Sequence, residues 1–545
     1  MDTIEQTIKE AIKTGLKAAF ELEKEPHLEK PKDKAHGDYA TNLAMTLAKE
    51  LRQSPFKIAE AIIAKMPKEK PITHVEIKGP GFINLFVDDS ALFDVVDTIL
   101  SQGKTYGKSD VGQNQNINIE FVSVNPTGDI HVGHARGAAA GDNMTNIMKK
   151  AGFNVTKEYY VNDGGNQITN LALSLQARYE QLFGKERSLP KDGYHGEEIK
   201  QLAEEIKDNY NDAFLARKDA LDRFEEIGVR ELLKKIKADL KQFGVEFDIY
   251  FSEKTLYEKD KIKATIQELT DLGYVYKAEG AVWLKTSDFG DEKDRVIIKR
   301  DGTYTYILPD IAYHNDKISR GYDKLIDILG GDHHGYVPRL KAAIEMLTGE
   351  KDKVEVDILQ MVKVLQDGQE VKMSKRSGKA ITLRDLIDAV GKDAIRYFFA
   401  RHSLNTHMDL DLDLALKKTN ENPVYYAQYA HARIVSLFEK AKEKGLEPYS
   451  DADYTQLKGE EIKSLIKTLS AYPSVIKEAA LKRLPHKLTQ YIHTLSADLH
   501  SFYAHVPILT NKDATIKAYL NLLEATKIVL SDALNLIGVS APNRM

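Results

Sequence analysis

The feature that most restricts the fold of this chain is a strand–helix–strand unit between residues 116 and 161. The run INIEFVSV from residue 117 has the apolar pattern of a buried strand, PTGD is a turn, and HVGHARGAAAGDNMTNIMKKAG predicts an Ala-rich helix that ends near Gly152. The run NVTKEYYV at 154–161 predicts a second strand. A strand, a helix and a parallel strand form the repeating element of a doubly wound parallel sheet. We therefore expect an α/β domain of that architecture.

The remaining strands extend this domain towards the carboxyl terminus. With 545 residues, the chain is roughly three to four times as long as a typical domain. Further strands are predicted at four places, namely 282–285, 295–299, 325–331 and 354–360. The stretch at about 166–270 is mostly helical and charged, which predicts an insertion that covers the sheet. We assign residues 106–405 to a Rossmann-type domain with a doubly wound parallel sheet.

Both ends of the chain predict additional domains. Apolar residues recur every three or four positions from Ile4 to Phe20, and VEIKGPGFINLFV at 75–87 predicts two strands joined by a turn. We therefore expect a small α+β domain over residues 1–105. After about residue 406 only helical stripes occur, so residues 406–545 predict an all-α helical bundle.

The composition excludes several classes of protein. Lysine and arginine number 77 against 82 aspartates and glutamates, a formal net charge of −5, so any nucleic-acid surface must be local. The chain contains no cysteine, which excludes disulfides, thiolate zinc sites and cysteine nucleophiles. The amino terminus lacks the apolar core of a signal peptide, and no segment approaches 18 apolar residues. We expect a cytoplasmic protein without a membrane partner.

The sequence His131-Val132-Gly133-His134 begins the helix of the strand–helix–strand unit. The free N–H groups and the dipole of a helix N-terminus favour an anion there. Gly133 lets a flat ring approach the backbone, and the two histidines can donate hydrogen bonds to phosphate oxygens during displacement at an α-phosphate. This pattern predicts a nucleotide-activating site. The alternatives are a zinc pair, for which this segment offers no third ligand, and two histidines that cap a loop.

A second motif, Lys372-Met373-Ser374-Lys375, lies between a predicted strand and a predicted helix, in the run VKMSKRSGKAITLRDL. Small and cationic residues suit a loop that closes on a triphosphate and then releases pyrophosphate. The alternative is a solvated basic surface loop. The two motifs occur in this order, roughly 240 residues apart, at the two sides of one doubly wound sheet, and together they favour the nucleotide interpretation.

The paired motifs resemble those of the class I aminoacyl-tRNA synthetases, whose signatures are HIGH and KMSKS. In this chain Val132 replaces the isoleucine conservatively, and Arg376 replaces the last serine while keeping the loop cationic. The resemblance implies a catalytic domain with four residues that act on ATP, namely His131, His134, Lys372 and Lys375. It also implies contacts with ATP from His131, Gly133, His134, Gly331, Asp332, Met373, Ser374 and Lys375.

Acidic and aromatic residues near the strand ends indicate a cationic ligand. Glu120 lies within an apolar strand, where a carboxylate is costly unless it meets a cation, so we expect it to face the crevice. A glutamate satisfied by neighbouring backbone is the alternative. Tyr306 and Asp310 are four residues apart, and both reach one cavity if the turn between them starts a helix. A carboxylate beside an aromatic ring suits a planar guanidinium.

Five segments resemble those of the bacterial arginyl-tRNA synthetases, namely EFVSVNPTGDIHVGHARGAAAGD, EYYVNDGGNQI, TYILPDIAYH, GGDHHGYVPRLKA and VKMSKRSGKAITL. The likeness extends over nearly the whole chain, from HGDYATN at 36–42 to the closing DALNLIGVSAPNRM. It implies that arginine is bound by Glu120, Ser123, Asn125, His131, Tyr306, Asp310 and His333, with Asp129 around the same pocket. Glu120 and Asn125 would hold the ammonium group, and Tyr306 and Asp310 the guanidinium.

The same resemblance implies that the outer domains bind tRNA. In the motif GPGFINLF, Phe82 and Asn84 would contact a D-loop base at the elbow of the tRNA, although Phe82 could equally be a core residue. The carboxyl-terminal bundle would read the anticodon, with four residues that we expect to contribute, namely Tyr425, Tyr429, Arg433 and Met545.

The resemblance implies that arginine and ATP with Mg²⁺ form arginyl adenylate, and that the 2′-hydroxyl of tRNA(Arg) accepts the arginyl group. We expect these three substrates as partners, no protein-bound metal and a monomer. One alternative is a lysyl or glutamyl synthetase of class I, although such substrates would use Tyr306 and Asp310 less well. Another is a non-catalytic sensor of arginine or tRNA, which would not need complete motifs. A dehydrogenase is disfavoured because no GxGxxG follows the first strand.

Overall fold

The structure, a computed structural model, describes residues 4–29, 31, 36–371, 380–448, 452–510 and 513–545. Within these residues the α-helices are α1 (Ile4–Phe20), α2 (Leu43–Leu51), α3 (Pro55–Lys65), α4 (Asp89–Gln102), α5 (Val132–Lys150), α6 (Gly165–Gln181), α7 (Glu197–Tyr210), α8 (Ala220–Gln242), α9 (Lys254–Glu258), α10 (Lys261–Asp271), α11 (Ile307–Ser319), α12 (Val337–Thr348), α13 (Leu383–Val390), α14 (Lys392–Ala400), α15 (Leu412–Leu416), α16 (Pro423–Glu443), α17 (Glu460–Leu481), α18 (His486–His505) and α19 (Asp513–Leu536).

The strands of the same residues form four sheets. They are β1 (Tyr39–Thr41), β2 (Ile72–Lys78), β3 (Phe82–Val87), β4 (Asn116–Glu120), β5 (Asn154–Val161), β6 (Ile249–Ser252), β7 (Val275–Ala278), β8 (Ala281–Leu284), β9 (Arg295–Ile298), β10 (Lys324–Gly330), β11 (Val354–Leu359), β12 (Val362–Gln366), β13 (Gln369–Glu370) and β14 (Met408–Asp411).

The chain divides into two compact units. Unit 1 contains residues 1–109, 419–536 and 540–545, and unit 2 contains residues 110–418 and 537–539. The two ends of the chain, for which the sequence predicts separate domains, therefore lie in one compact unit.

Unit 2 is built on a five-stranded parallel sheet with the strand order β11-β10-β4-β5-β6. The order reverses between β4 and β10, so the carboxyl ends of these two strands flank a topological switch point, where ligands of such sheets bind. The predicted fold class is confirmed, with this doubly wound sheet, a small α+β part before it and an all-α part after it.

Helices cover both faces of the parallel sheet. On β5, Lys157 forms an ion pair with Asp142 of α5, with Nζ and Oδ1 3.1 Å apart. The next residue, Glu158, forms an ion pair with Arg320, which follows α11 directly. Because successive residues of a strand point to opposite faces, α5 and α11 lie on opposite sides of the sheet.

The prediction of a helical insertion at about 166–270 that only covers the sheet is wrong for the later part of this stretch. Helices α6, α7 and α8 occupy its first part, but Ile249–Ser252 forms the edge strand β6, which pairs in parallel with β5. This strand has only four residues, too few for a period-two pattern to stand out. Its apolar contacts come from aromatic rings, such as Phe251 beside Tyr160 with centroids 6.2 Å apart. The three helices are therefore a long crossover between two strands of the sheet.

The other predicted strands fall into two groups. Those at 325–331 and 354–360 are β10 and β11 of the parallel sheet, whereas those at 282–285 and 295–299 are β8 and β9 of a separate antiparallel sheet with β7. A third sheet in unit 2 has the order β13-β12-β14.

Unit 1 combines a three-stranded antiparallel sheet, β1-β3-β2, with helices from both ends of the chain. The apolar stripe of α1 is buried as predicted, at Ile4, Ile8, Ile12 and Leu16. The helices α16 to α19 form the predicted bundle, whose core includes residues such as Leu465 and Leu495. None of the helices in the described ranges combines the length and apolar character that crossing a bilayer requires.

Candidate active site

The first predicted motif lies at the start of α5. His131 is the N-cap residue, and its Nδ1 atom accepts a hydrogen bond from the backbone N–H of Gly133 at 3.1 Å. The rings of His131 and His134 stack with their centroids 3.5 Å apart. A Cβ atom on Gly133 would lie 3.1 Å from the His131 ring, so the missing side chain leaves room for this imidazole. The motif is therefore a compact pair of rings at a helix N-terminus.

Both histidines of this pair favour the neutral state. Burial lowers the pKa of His131. Burial, and then the neighbouring His131, lower the pKa of His134 to about 3. A neutral His131 that accepts at Nδ1 carries its proton on Nε2, which can donate to a ligand. The Nδ1 atom of His134 is buried without a hydrogen-bond partner among the described residues. The pair can thus contact phosphate oxygens through hydrogen bonds rather than through positive charge.

The second motif, with Lys372, Met373, Ser374 and Lys375, lies outside the described residues. The chain that follows it is hydrogen-bonded to the first motif. The backbone N–H of Val132 donates to the carbonyl of Ile381 at 3.2 Å, and that of Leu383 donates to the carbonyl of Ile130 at 2.7 Å. A cavity of about 300 Å³ is lined by His131 and by Val371 and Ala380, which precede and follow the segment.

The residues after β4 adopt a strained backbone. Val122 has a φ of 69° and Ser123 a φ of 38°, values that are unfavourable for residues other than glycine and most of all for a β-branched one. The Ser123 hydroxyl donates to Oε1 of Glu120 at 3.0 Å and accepts from the backbone N–H of Tyr160 at 3.0 Å. The strained turn thus places Ser123 between a carboxylate of β4 and the backbone of β5.

Asp310, predicted to hold a guanidinium, lies in the first turn of α11. Its Oδ2 atom accepts a hydrogen bond from the hydroxyl of Tyr336 at 2.6 Å, and its Oδ1 atom lies 3.2 Å from Nδ1 of His314. The sequence predicted that Tyr306 and Asp310 share a cavity if a helix starts between them. That helix is present, but Tyr306 precedes its first residue and is 97% exposed. The structure therefore places Asp310 in a hydrogen-bonded cluster and leaves Tyr306 on the surface.

The other predicted ligands of arginine lie at strand ends or in loops. The amide of Asn125 donates to Gln167 at 2.5 Å, and Asp129 forms an ion pair with Lys235 at 2.6 Å. Gly331, Asp332 and His333 are exposed and lie in a 3-10 helix directly after β10. Asn125 and Asp129 thus lie in the chain between β4 and α5, and the other three residues directly follow β10.

A row of three carboxylates crosses the sheet on the side of α11. Asp327 of β10, Glu120 of β4 and Glu158 of β5 are neighbours in the strand register. A stripe of bases at three-residue spacing along α11 and its C-cap residue faces them, namely His314, Lys317 and Arg320. Lys317 Nζ lies 2.6 Å from Glu120 and 3.1 Å from Asp327, and Arg320 binds both oxygens of Glu158 at 2.8 and 2.9 Å.

His314 and Asp327, at one end of this row, favour their charged states. Both nitrogens of His314 face acceptors, Nε2 the carboxylate of Asp327 at 2.7 Å and Nδ1 the carbonyl of Asp310 at 2.8 Å, so the ring must carry two protons. Burial opposes this charge, but Asp327 and Asp310 outweigh burial and raise the pKa of His314 to about 10. Burial likewise opposes the ionisation of Asp327, yet Lys317 and His314 hold its pKa well below its usual range.

The bases of this row are not among the residues predicted from the sequence. One signal was available, because each of the three strands contains a single acidic residue in an apolar run, and YHNDKISR spaces its bases three apart. Within the described ranges, no group of three or more His, Asp or Glu side chains is arranged to hold a metal ion.

The predicted tRNA-binding residues lie in unit 1. Asn84 of β3 is only 2% exposed, and its amide nitrogen has no hydrogen-bond partner among the described residues, so this side chain does not present itself to a base as expected. Phe82 is half-buried. On α16, the rings of Tyr425 and Tyr429 stack with their centroids 6.0 Å apart. The guanidinium of Arg433 lies over the ring of Tyr503, and Met545 is 55% exposed.

Comparison with known proteins covers the whole chain. Residues 95–435 match the family described as tRNA synthetases class I (R), catalytic domain. Residues 2–87 match the arginyl tRNA synthetase N terminal domain, and residues 427–545 match the DALR anticodon binding domain. The arginine–tRNA ligases of Bacillus subtilis and Bacillus licheniformis are each 49% identical to this chain, over all of its length and 99% of theirs. The chain belongs to the arginyl-tRNA synthetase family.

Solved arginyl-tRNA synthetases share the fold. The Thermus thermophilus enzyme superposes with a TM-score of 0.81 at 21% identity over 99% of both chains. The Plasmodium falciparum enzyme superposes with a TM-score of 0.75 at 17% identity over 100% of both chains. The resemblance predicted from the HVGH and KMSK motifs is confirmed at the level of the arginyl-tRNA synthetase family, and the residues that bind each substrate stay predictions.

Proposed function

We propose that this chain is an arginine–tRNA ligase that forms arginyl adenylate from L-arginine and Mg-ATP and transfers the arginyl group to the terminal adenosine of tRNA(Arg). The observation that supports this most is the switch point of the parallel sheet. There β4 ends at the buried carboxylate of Glu120, the histidine pair begins α5, and the loop after β10 contributes exposed polar side chains. A carboxylate for a cationic substrate and donors for a phosphate thus belong to one edge of one sheet.

For arginine, we propose that Glu120 and Asn125 receive the ammonium group and that Asp310 receives the guanidinium. The Tyr336 hydroxyl and the His314 ring each contact one oxygen of Asp310, which fixes the plane of this carboxylate. A fixed carboxylate plane suits the paired N–H groups of a guanidinium. The exposed Tyr306 ring is free to cover the guanidinium from the solvent side. Ser123 and His333 complete the proposed pocket.

For ATP, we propose that His131 and His134 donate hydrogen bonds to phosphate oxygens at the start of α5. His131 accepts a hydrogen bond at Nδ1, so the N–H at its Nε2 remains to donate to a phosphate oxygen. The helix N-terminus adds a favourable field for the phosphates. Lys372 and Lys375 would neutralise the charge of the leaving pyrophosphate, and Gly133, Gly331, Asp332, Met373 and Ser374 would complete the contacts.

The chemistry then requires no covalent intermediate with the protein. The arginine carboxylate attacks the α-phosphate, the bond to pyrophosphate breaks, and the 2′-hydroxyl of the tRNA displaces AMP from the adenylate. The protein contributes position and hydrogen bonds to the developing charge. We further propose that unit 1 binds the tRNA through residues that include Phe82, Tyr425 and Tyr429, and that the protein acts as a cytoplasmic monomer without a metal of its own.

The experiment that tests this function is ATP–pyrophosphate exchange with each of the twenty amino acids, with and without bulk tRNA. The family resemblance implies that tRNA binds before arginine is activated. We therefore expect exchange with arginine alone, and only when tRNA is present. Exchange with another amino acid would overturn the assignment of Glu120 and Asp310 to arginine. A folded protein that binds tRNA but shows no exchange would instead favour the non-catalytic sensor.

A further inference from the structure

The two carboxylates proposed to bind the two ends of arginine are joined through the protein interior. Lys317 lies 2.6 Å from Glu120 and 3.1 Å from Asp327. Asp327 lies 2.7 Å from His314, and His314 lies 3.2 Å from Asp310. The sequence of contacts Glu120–Lys317–Asp327–His314–Asp310 is therefore continuous, and we call it the charge chain.

The three middle residues of the charge chain are buried, whereas its two terminal carboxylates are partly exposed to solvent. The side chain of Lys317 is 0% exposed, and those of Asp327 and His314 are each 3% exposed. At the ends, Glu120 is 11% and Asp310 30% exposed. Only the terminal carboxylates can therefore meet a ligand, while the three middle residues contact each other and the two ends.

The charge chain also joins two elements of the fold. Asp310, His314 and Lys317 lie on one face of α11, at spacings of four and three residues. Glu120 and Asp327 lie on the adjacent strands β4 and β10, directly opposite each other in the register. Any shift or rotation of α11 relative to these strands would break at least one ion pair.

A buried set of ions is a costly way to join a helix to a sheet. Removing charges from water costs several kcal/mol per ion, and apolar side chains of the same size often give equal or greater stability. The same helix packs elsewhere on apolar residues, including Leu308 and Ile311. Stability alone therefore does not account for charges at these positions, whereas a fixed geometry of the two terminal carboxylates does.

We propose that Lys317, Asp327 and His314 are positioning residues that fix the distance between Glu120 and Asp310, and thereby the length of the amino acid that the site accepts. This inference rests on the proposed function, because it needs both carboxylates to bind arginine. Arginine holds its ammonium and guanidinium apart by a set number of methylenes, and homoarginine has one more. Two rigidly placed carboxylates favour the substrate whose charges match their separation.

The test compares arginine with homoarginine in tRNA-dependent ATP–pyrophosphate exchange. One methylene changes kcat/KM by roughly 10- to 200-fold in a fitted site. Asp327→Asn keeps the shape of the side chain and removes the charge shared by Lys317 and His314. We expect the preference for arginine over homoarginine to fall at least tenfold, with a raised KM for arginine and an unchanged KM for ATP.

The matched control is Glu158→Gln, because Glu158 belongs to the same row of carboxylates and pairs with Arg320 beside the same helix. Glu158 is the register neighbour of Glu120, but among the described residues no side-chain hydrogen bond or ion pair joins it to either terminal carboxylate. We expect this variant to lose thermal stability without changing the arginine–homoarginine ratio. A role of the charge chain in stability alone predicts the same unchanged ratio for both variants, and that result would overturn the proposal.

Two further variants keep the test decisive. If Asp327→Asn does not fold, the double variant Lys317→Met with Asp327→Asn removes one charge of each sign and leaves no unpaired lysine. The variant His314→Gln instead breaks the contact between His314 and Asp310. An unchanged ratio in the folded members of this set overturns the inference. Asp310→Asn separates this inference from the pocket on which it rests: an unchanged KM for arginine would show that the pocket is wrongly assigned. The proposed function itself fails only if the natural protein shows no arginine-dependent exchange.

Discussion

His314 and Asp327 form a buried ion pair, with Nε2 and Oδ2 2.7 Å apart. The pKa of His314 is raised to about 10, against about 6.5 for an ordinary histidine. The imidazolium therefore stabilises the fold fully below pH 6.5, and this contribution decreases as the pH rises from 6.5 through 10. We expect the free energy of unfolding to fall by a few kcal/mol more over this range in the natural protein than in His314→Gln. Denaturant titrations of both proteins at several pH values measure the difference, and parallel curves would contradict it.

Replacing a histidine of the pair at the start of α5 should reduce catalysis without reducing tRNA binding. His134→Asn removes a ring that we place against the phosphates of ATP. Removing one such donor costs about 10²–10³ in kcat. The measurement is arginine-dependent pyrophosphate exchange, with tRNA affinity as the second readout and His195→Asn, at an exposed position, as the control. Normal exchange by His134→Asn would contradict the ATP site.

Removing the hydroxyl of Tyr336 should raise the KM for arginine without changing any charge in the proposed pocket. Its hydroxyl donates to Asp310, and burial, followed by Asp310, raises its pKa well above the usual range, so it remains a donor at any working pH. A hydrogen bond to a charged group contributes about 1.5–3 kcal/mol. Tyr336→Phe should therefore raise the KM for arginine roughly 10- to 100-fold and leave the KM for ATP unchanged. Steady-state kinetics with each substrate varied in turn provide the check.

Adding one methyl group at Gly538 should strongly destabilise the fold. Its φ is 69°, and a Cβ atom there would lie 2.1 Å from Nε of Arg396, which is itself fully buried and bonded to Asp142. We expect Gly538→Ala to lower the free energy of unfolding by about 2–4 kcal/mol, combining strain and displacement of the buried arginine. Gly349 has a φ of 71° with nothing within 4 Å of such a Cβ, so Gly349→Ala should cost only about 1 kcal/mol. Equal melting temperatures for the two variants would refute the contact.

Local patterns predicted the elements that carry the motifs. The apolar run before Glu120 is β4, and the Ala-rich segment after His131 is α5, because both patterns repeat over enough residues to stand out. The sequence also indicated that Glu120 needs a cation. In the structure this cation is Lys317, which is 197 positions away, and no periodicity relates two residues at that distance.

The parts that the sequence did not predict depend on pairing between distant segments. The strand β6 is recognisable only beside β5, whose aromatic residues complete its packing. The contact between Asp310 and Tyr336 also joins residues from separate helices of the fold. The burial of Asn84 depends on which strands and helices cover β3, and its motif alone gave no sign of this.

Because unit 1 is built from both ends of the chain, its folding cannot be completed until the last helices have been synthesised. Residues 1–109 leave the ribosome first, but α4 packs against α17 and α19, which are translated more than 300 residues later. At about 5–20 residues per second, the first segment waits roughly 20–85 seconds until both of these helices are complete. During that interval residues 110–418 of unit 2 are translated, while α4 still exposes the surface that α17 and α19 later cover. Until its last helices are made, a nascent chain of this fold is therefore exposed to aggregation through its amino-terminal segment.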